Sequence, residues 1–185
     1  MTTSNDFKTG LTIEHEGQIF SIMEFQHVKP GKGSAFVRSK MRNLRTGAVI
    51  EKTWRAGEKV ATALIEKDEM QFLYVNGDRY VFMNTDTYEQ IEVADFQIEY
   101  EKNFLLESMM VMMKRYKDEI IGVELPEKVA LTVTETVPGV RGNTVNNATK
   151  DATVETGYLL QVPLFINEND KIYINTSTGK YMTKA

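Results

Sequence analysis

Residues 35–42, AFVRSKMR, alternate strictly in character, and that alternation constrains the fold more than any other feature. Ala35, Val37, Ser39 and Met41 fall on one side of an extended chain, and Phe36, Arg38, Lys40 and Arg42 on the other. The first set suits the interior of a small barrel, and the second makes a basic stripe on its outside. The same extended grammar runs through GQIFSIMEFQHVKP and AVIEKTWRAGEKVATALIE, each punctuated by glycine-containing turns. EMQFLYVNGDRYVFMN reads as a hairpin about Asn76-Gly77, and SMMVMMKRYKDEIIGVELP as another. One stretch, ADFQIEYEKNFLL, predicts a short helix capped by Asp95, with Ile98, Tyr100, Phe104 and Leu105 partly buried.

The prediction is therefore an all-β chain with one short helix in its middle third. A composition shift near Glu66 and a proline at 126 divide it into residues 1–65, 66–126 and 127–185. Units of roughly 60 residues are too small for a deep core, so they should close into barrels or lean on one another. No low-complexity linker separates them, which implies short joints. The methionines at 109, 110, 112 and 113 read as core filling on a strand, not as a metal or ligand cluster.

Composition narrows the chemistry. The chain has no cysteine, which excludes disulfides and thiolate metal sites. Its two histidines, His15 and His27, lie in strand-like sequence and leave little material for a metal site or a catalytic triad. No apolar run approaches the roughly 18 residues of a membrane span, and MTTSNDFKTG lacks the pattern of a secretory signal. The predicted protein has no catalytic residue, no metal, no cofactor and no membrane partner. The net charge of −4 conceals an asymmetry, +4 over residues 1–65 and −8 over residues 66–126. Contact with a polyanion at selected places is expected, not general electrostatic binding.

The stretch VKPGKGSAF, residues 28–36, sets a long cation between two glycines just after a proline. It is not a phosphate-binding loop: position 26 is Gln, Gly33 follows Lys32 where Ser or Thr is required, and a strand follows instead of a helix. Two readings remain open on the residues themselves. One is an ordinary hairpin turn with a solvated lysine. The other is a lysine projected beyond the barrel, for insertion into a narrow site or for enlargement by a modifying enzyme.

VKPGKGSAFVRSKMRNLRTG resembles the N-terminal barrel of bacterial elongation factor P, and the resemblance runs across essentially the whole chain. KDATVETGYLLQVPLFINEN resembles the family's second signature, filled by Lys150, Ala152, Gly157, Leu160, Val162, Pro163 and Ile166. Asn169 stands where the family usually has Gly, a replacement that also tolerates left-handed backbone angles. The resemblance implies an N-terminal KOW-like barrel and two OB-type barrels in an elongated L-shape. It also implies a cytoplasmic, monomeric translation factor bound to ribosomal RNA and proteins between the peptidyl and exit tRNA sites, relieving stalls at consecutive prolines.

By the same resemblance Lys32 is the modified tip residue, carrying an aminopentanol-type or a β-lysyl extension attached by dedicated modifying enzymes. Lys29, Pro30, Gly31, Lys32, Gly33 and Ser34 form the loop that meets the peptidyl-tRNA. Arg38, Lys40 and Arg42 neutralise RNA phosphates beside it. Gly142, Asn143 and Thr144 resemble a loop near the exit codon on the small subunit, with Asn143 in place of the usual Asp. The runner-up reading is a paralogue with unmodified Lys32, acting as a more general RNA-binding or translational-control module.

Overall fold

The computed structural model describes residues 1–139 and 148–185. Its strands are β1 (Thr2–Thr3), β2 (Thr12–His15), β3 (Gln18–Val28), β4 (Phe36–Asn43), β5 (Val49–Arg55), β6 (Lys59–Thr62), β7 (Ile65–Asn76), β8 (Arg79–Met83) and β9 (Gln90–Ala94). They continue as β10 (Met110–Tyr116), β11 (Glu119–Glu124), β12 (Lys128–Thr136), β13 (Thr149–Val154), β14 (Leu159–Pro163), β15 (Lys171–Asn175) and β16 (Lys180–Lys184). They form three sheets, with orders β1-β6-β2-β3-β4-β5, β11-β10-β7-β8-β9 and β14-β13-β12-β15-β16. The chain is all-β, as the alternation predicts.

The predicted helix is replaced by two 3-10 turns, Asp95–Ile98 and Glu101–Phe104. Ile98 in the first turn and Phe104 in the second are both fully buried. Asp95 is inside the first turn and not its cap; the turn is held instead by the Ala94 N–H, which donates to Gln97 Oε1 at 3.2 Å. Leu105 is buried, but Tyr100 is 42% exposed. The middle hairpin also turns one residue later than its Asn-Gly pair suggests. Asn76 pairs with Arg79, leaving Gly77-Asp78 as the loop, with Gly77 at φ +64°.

The chain divides into two compact units. The first comprises Met1–Lys67 with Lys114–Gly122. Its core gathers Phe7, Ile13, Phe20, Ile22, Val37, Met41, Trp54 and Val60 from the six-stranded sheet. A smaller cluster joins Ile19 and Ala63 to Tyr116 and Ile121 of the β10–β11 hairpin. Polar groups fix the same contact: Tyr116 O–H donates to Glu14 Oε2 at 2.8 Å. Arg45 Nε lies 2.9 and 3.0 Å from the Glu119 carboxylate oxygens, while Arg45 Nη1 donates to the Gly17 carbonyl at 2.9 Å. Part of the basic balance of residues 1–65 is thus spent internally.

The second unit comprises Asp68–Met113 with Val123–Ala185. Phe104 of the second 3-10 turn is a member of the core formed by Val129, Leu131, Val133, Val154, Val162, Ile172 and Ile174 of the third sheet. Its ring lies 4.9 Å from Tyr158 and 5.2 Å from Tyr100, both edge-on. Tyr158 O–H donates to the Gly179 carbonyl at 2.8 Å, and Thr156 Oγ1 to the Asn103 carbonyl at 2.5 Å. An aromatic wedge with satisfied hydroxyls therefore joins the middle residues to the third sheet. The outer strands of that sheet, β14 and β16, come into contact, which curls it close to a closed barrel.

Candidate functional site

The lysine loop joins the two longest neighbours of the first sheet. Val28 of β3 pairs with Phe36 of β4, and residues 29–35 lie beyond that last rung. Lys29, Gly31, Lys32, Gly33 and Ser34 are exposed and Pro30 is half-buried. Lys32 has no hydrogen-bond or ion-pair partner among the described residues. The two glycines are not equivalent. Gly33 sits at φ +104°, in the region that side-chain-bearing residues avoid, whereas Gly31 does not. A Cβ at either position would meet no close neighbour, so backbone conformation alone demands glycine, and only at Gly33.

Below the loop the structure is firmly held. Phe36 also pairs with Arg55, and the Ala56 N–H donates to the Ala35 carbonyl at 3.2 Å. The turn after β5 is closed by Glu58 Oε2 accepting from the Arg55 N–H at 3.0 Å. Buried Ser4 donates its hydroxyl to the Arg55 carbonyl at 2.6 Å. Inside, the Trp54 indole N–H donates to Ser39 Oγ at 2.8 Å, and that hydroxyl donates to the Lys52 carbonyl at 3.2 Å. This satisfies a polar pair that would otherwise destabilise the core by about 1–3 kcal/mol. The exposed lysine therefore stands on a rigid root.

The alternation places Val37, Ser39 and Met41 inside and Arg38, Lys40 and Arg42 on the opposite side, with Lys40 half-buried. The register then separates the three cations. Arg38 stands between Gln26 and Thr53, and Arg42 between Ser21 and Val49. Lys40 stands between Glu24 and Glu51, two carboxylates directly across from it. A bulge at Met23 is responsible: without the extra residue, Met23 and not Glu24 would face Lys40. A shallow concavity of about 340 Å³ follows this row, lined by Glu24, Gln26, Arg38, Lys40 and Glu51 among others.

Both histidines are strand residues: the His15 ring lies 5.0 Å from Trp54, and exposed His27 lies 5.6 Å from Phe25. Among the described residues no three His, Cys, Asp or Glu side chains are grouped to hold a metal. Of the methionines, Met113 is fully buried and Met109 packs against the core of the third sheet. Gly142, Asn143 and Thr144 lie outside the described residues.

The second signature proves to be architecture. Ala152, Leu160, Val162 and Ile166 are buried in the third sheet's core. Gly157 takes φ +87° and Asn169 takes φ +70°, so the asparagine keeps the left-handed turn that glycine would supply. Asn169 N–H donates to the Val133 carbonyl at 2.8 Å. Lys150 is 7% exposed, and its ammonium donates to the Val137 carbonyl at 2.5 Å.

Comparison with known proteins agrees with this architecture. Residues 3–60 match the elongation factor P KOW-like domain, residues 65–123 the elongation factor P OB domain, and residues 129–184 the elongation factor P C-terminal domain. Among solved structures, the eukaryotic translation initiation factor 5A from Methanococcus jannaschii is 24% identical with a TM-score of 0.53, over 65% of this chain and 93% of that one. A translation initiation factor eIF-5A family protein from Naegleria fowleri is 14% identical with a TM-score of 0.47, over 66% of this chain and 96% of that one. The first of these shows a shared fold. The three domain matches together span nearly the whole sequence, and the chain belongs to the elongation factor P family, whose members are translation factors and not enzymes.

Proposed function

We propose that this translation factor binds the ribosome in the cytoplasm, as a monomer, between the peptidyl and exit tRNA sites and relieves stalling at consecutive prolines. The observation that carries the reading is Lys32, exposed and without a partner among the described residues, at the end of a rigidly rooted loop. Proline is a constrained secondary-amine nucleophile, and a chain ending in proline aligns poorly for attack. A cation reaching the CCA end of the peptidyl-tRNA, lengthened by an aminopentanol-type or β-lysyl extension, holds the reacting ends together. The gain is an entropic one, and the factor supplies no general base.

Lys29, Pro30, Gly31, Gly33 and Ser34 shape the approach to the tRNA. Arg38 and Arg42, flanked by neutral residues, carry more of the phosphate contact than Lys40 between its two glutamates. Gly142, Asn143 and Thr144 are assigned to the exit codon of the small subunit. The test is a pair of reporters, with and without a run of prolines, in a host depleted of this protein. Depletion should slow the proline reporter alone, with rescue by the wild type and not by Lys32→Ala. Equal slowing of both reporters overturns the reading. Intact mass and peptide mapping of protein from its native host locate the extension; an unmodified Lys32 would favour the general RNA-binding module.

A further inference from the structure

The outer surface of β12, β15 and β16 forms a three-by-three grid by register. Its rows are Lys128–Asn175–Lys180, Ala130–Tyr173–Thr183 and Thr132–Lys171–Ala185, with Ala185 placed by its N–H donating to the Lys171 carbonyl at 2.8 Å. The inward residues of the same strands, Val129, Leu131, Ile172 and Ile174, are buried, so the grid is the side turned away from the core. None of the nine positions is Asp or Glu.

Lys128, Lys171 and Lys180 are exposed and have no ion-pair partner among the described residues. Two carboxylates at the margin are engaged elsewhere. Asp170 accepts from the Asn167 N–H at 2.8 Å and meets Lys184 Nζ at 3.2 Å, and Glu155 accepts from the Thr132 N–H at 2.9 Å. A patch of three uncompensated positive charges thus stands on a chain whose net charge is −4.

An aromatic ring occupies the centre of this patch. Tyr173 has only Ala130 and Thr183 beside it in its row, and Lys128 Nζ lies 4.5 Å from its ring centroid. Strand spacing puts Lys128 and Lys180 ~10 Å apart, with Lys171 ~13 Å along β15 from their row. Phosphates can therefore be met on two sides of one stacked base. The outer face of a sheet that sets an aromatic platform among cations is an arrangement that takes single-stranded nucleic acid. An acidic protein segment would use the charges and would make no use of the ring beyond its contact with Lys128.

We propose that this face of the third sheet is an RNA-docking surface, separate from the lysine loop, that takes single-stranded RNA through a base stacked on Tyr173 and phosphates on Lys128, Lys171 and Lys180. It extends the ribosome-binding reading to the outer face of the third sheet and rests on that reading for its setting. The test uses neither Lys32 nor its modification, so its failure leaves stall relief standing.

The probe is a fluorescein-labelled oligouridylate added to the purified full chain, read by anisotropy from low to moderate salt. Three phosphate contacts predict a slope of log K on log salt of about −2 from this face. Lys128→Gln, Lys171→Gln and Lys180→Gln combined should remove that contribution and weaken low-salt binding at least tenfold. Tyr173→Leu should weaken binding about tenfold and leave the slope unchanged, because it deletes a stacking platform and no charge. Melting curves matching the wild type confirm that these surface variants fold. Wild-type-like binding by the triple variant, equal affinity for an RNA duplex, or equal competition by polyglutamate would each overturn the proposal.

Discussion

The lysine loop of the first unit and the signature segment of the second carry the family resemblance equally, yet they use the same residue types in opposite ways. Lys32 is exposed with no hydrogen-bond or ion-pair partner among the described residues, whereas Lys150 is buried with its ammonium on the Val137 carbonyl. Gly33 shapes a loop that holds no core, whereas Gly157 and Asn169 turn the chain so that Leu160, Val162 and Ile166 can point inward. A recognisable motif therefore locates constraint without saying what the constraint is for. Burial decides: a cation with a satisfied internal partner serves the fold, and one held out on a rigid root is available to something else.

The two lysines can be changed identically. Lys150→Met leaves the Val137 carbonyl without its donor and should lower stability by about 1–3 kcal/mol. Lys32→Met should change stability by no more than about 0.5 kcal/mol, the usual range for a surface position, while losing stall relief. Chemical denaturation of both variants beside the proline reporter reads the two effects separately. Equal stability losses would show that the loop is part of the fold's support after all.

Much of this division was legible in the sequence. Period-two alternation over residues 35–42 put Val37, Ser39 and Met41 inside and the three cations on the other face, because a strand's side chains can only alternate. Asn169 was readable as a left-handed turn residue from its chemistry alone. What escaped were non-local facts. Nothing in FSIMEFQ announces a bulge at Met23, since the extra residue exists only relative to β4, yet it brings Glu24 opposite Lys40. Phe104 sits in the core of the third sheet, far along the chain, and that packing favours 3-10 turns over the helix its neighbours' pattern suggests. Trp54 as the partner of Ser39 is likewise a product of register.

The two glycines of the loop differ from each other in backbone conformation. Gly33→Ala forces an alanine to φ +104° and should cost about 1 kcal/mol, or move the loop to escape that cost. Either way Lys32 is presented differently and proline-reporter activity should fall. Gly31→Ala meets open space at an ordinary backbone angle and should leave both stability and activity at wild-type levels. A matched loss in both variants would mean that bulk beside the lysine, and not backbone conformation, is what glycine serves here.

The smallest expected effect is one of pH, and it separates the signature region from the loop once more. The Asn167 N–H donating to Asp170 holds that carboxyl below the usual range, with Lys184 adding to the effect. The charged form is favoured in the folded state, so Asp170 contributes stability above the unfolded carboxylate value of about 4 and loses it as pH falls through the lower folded value. Melting temperature measured from pH 7 down to pH 3 should decline less steeply in Asp170→Asn than in the wild type. Lys32→Met should follow the wild-type curve, because exposed Lys32 has no carboxylate partner among the described residues. A Lys32 variant that altered the acid limb would reveal a carboxylate contact and undo the distinction between a cation spent on the fold and one held in reserve.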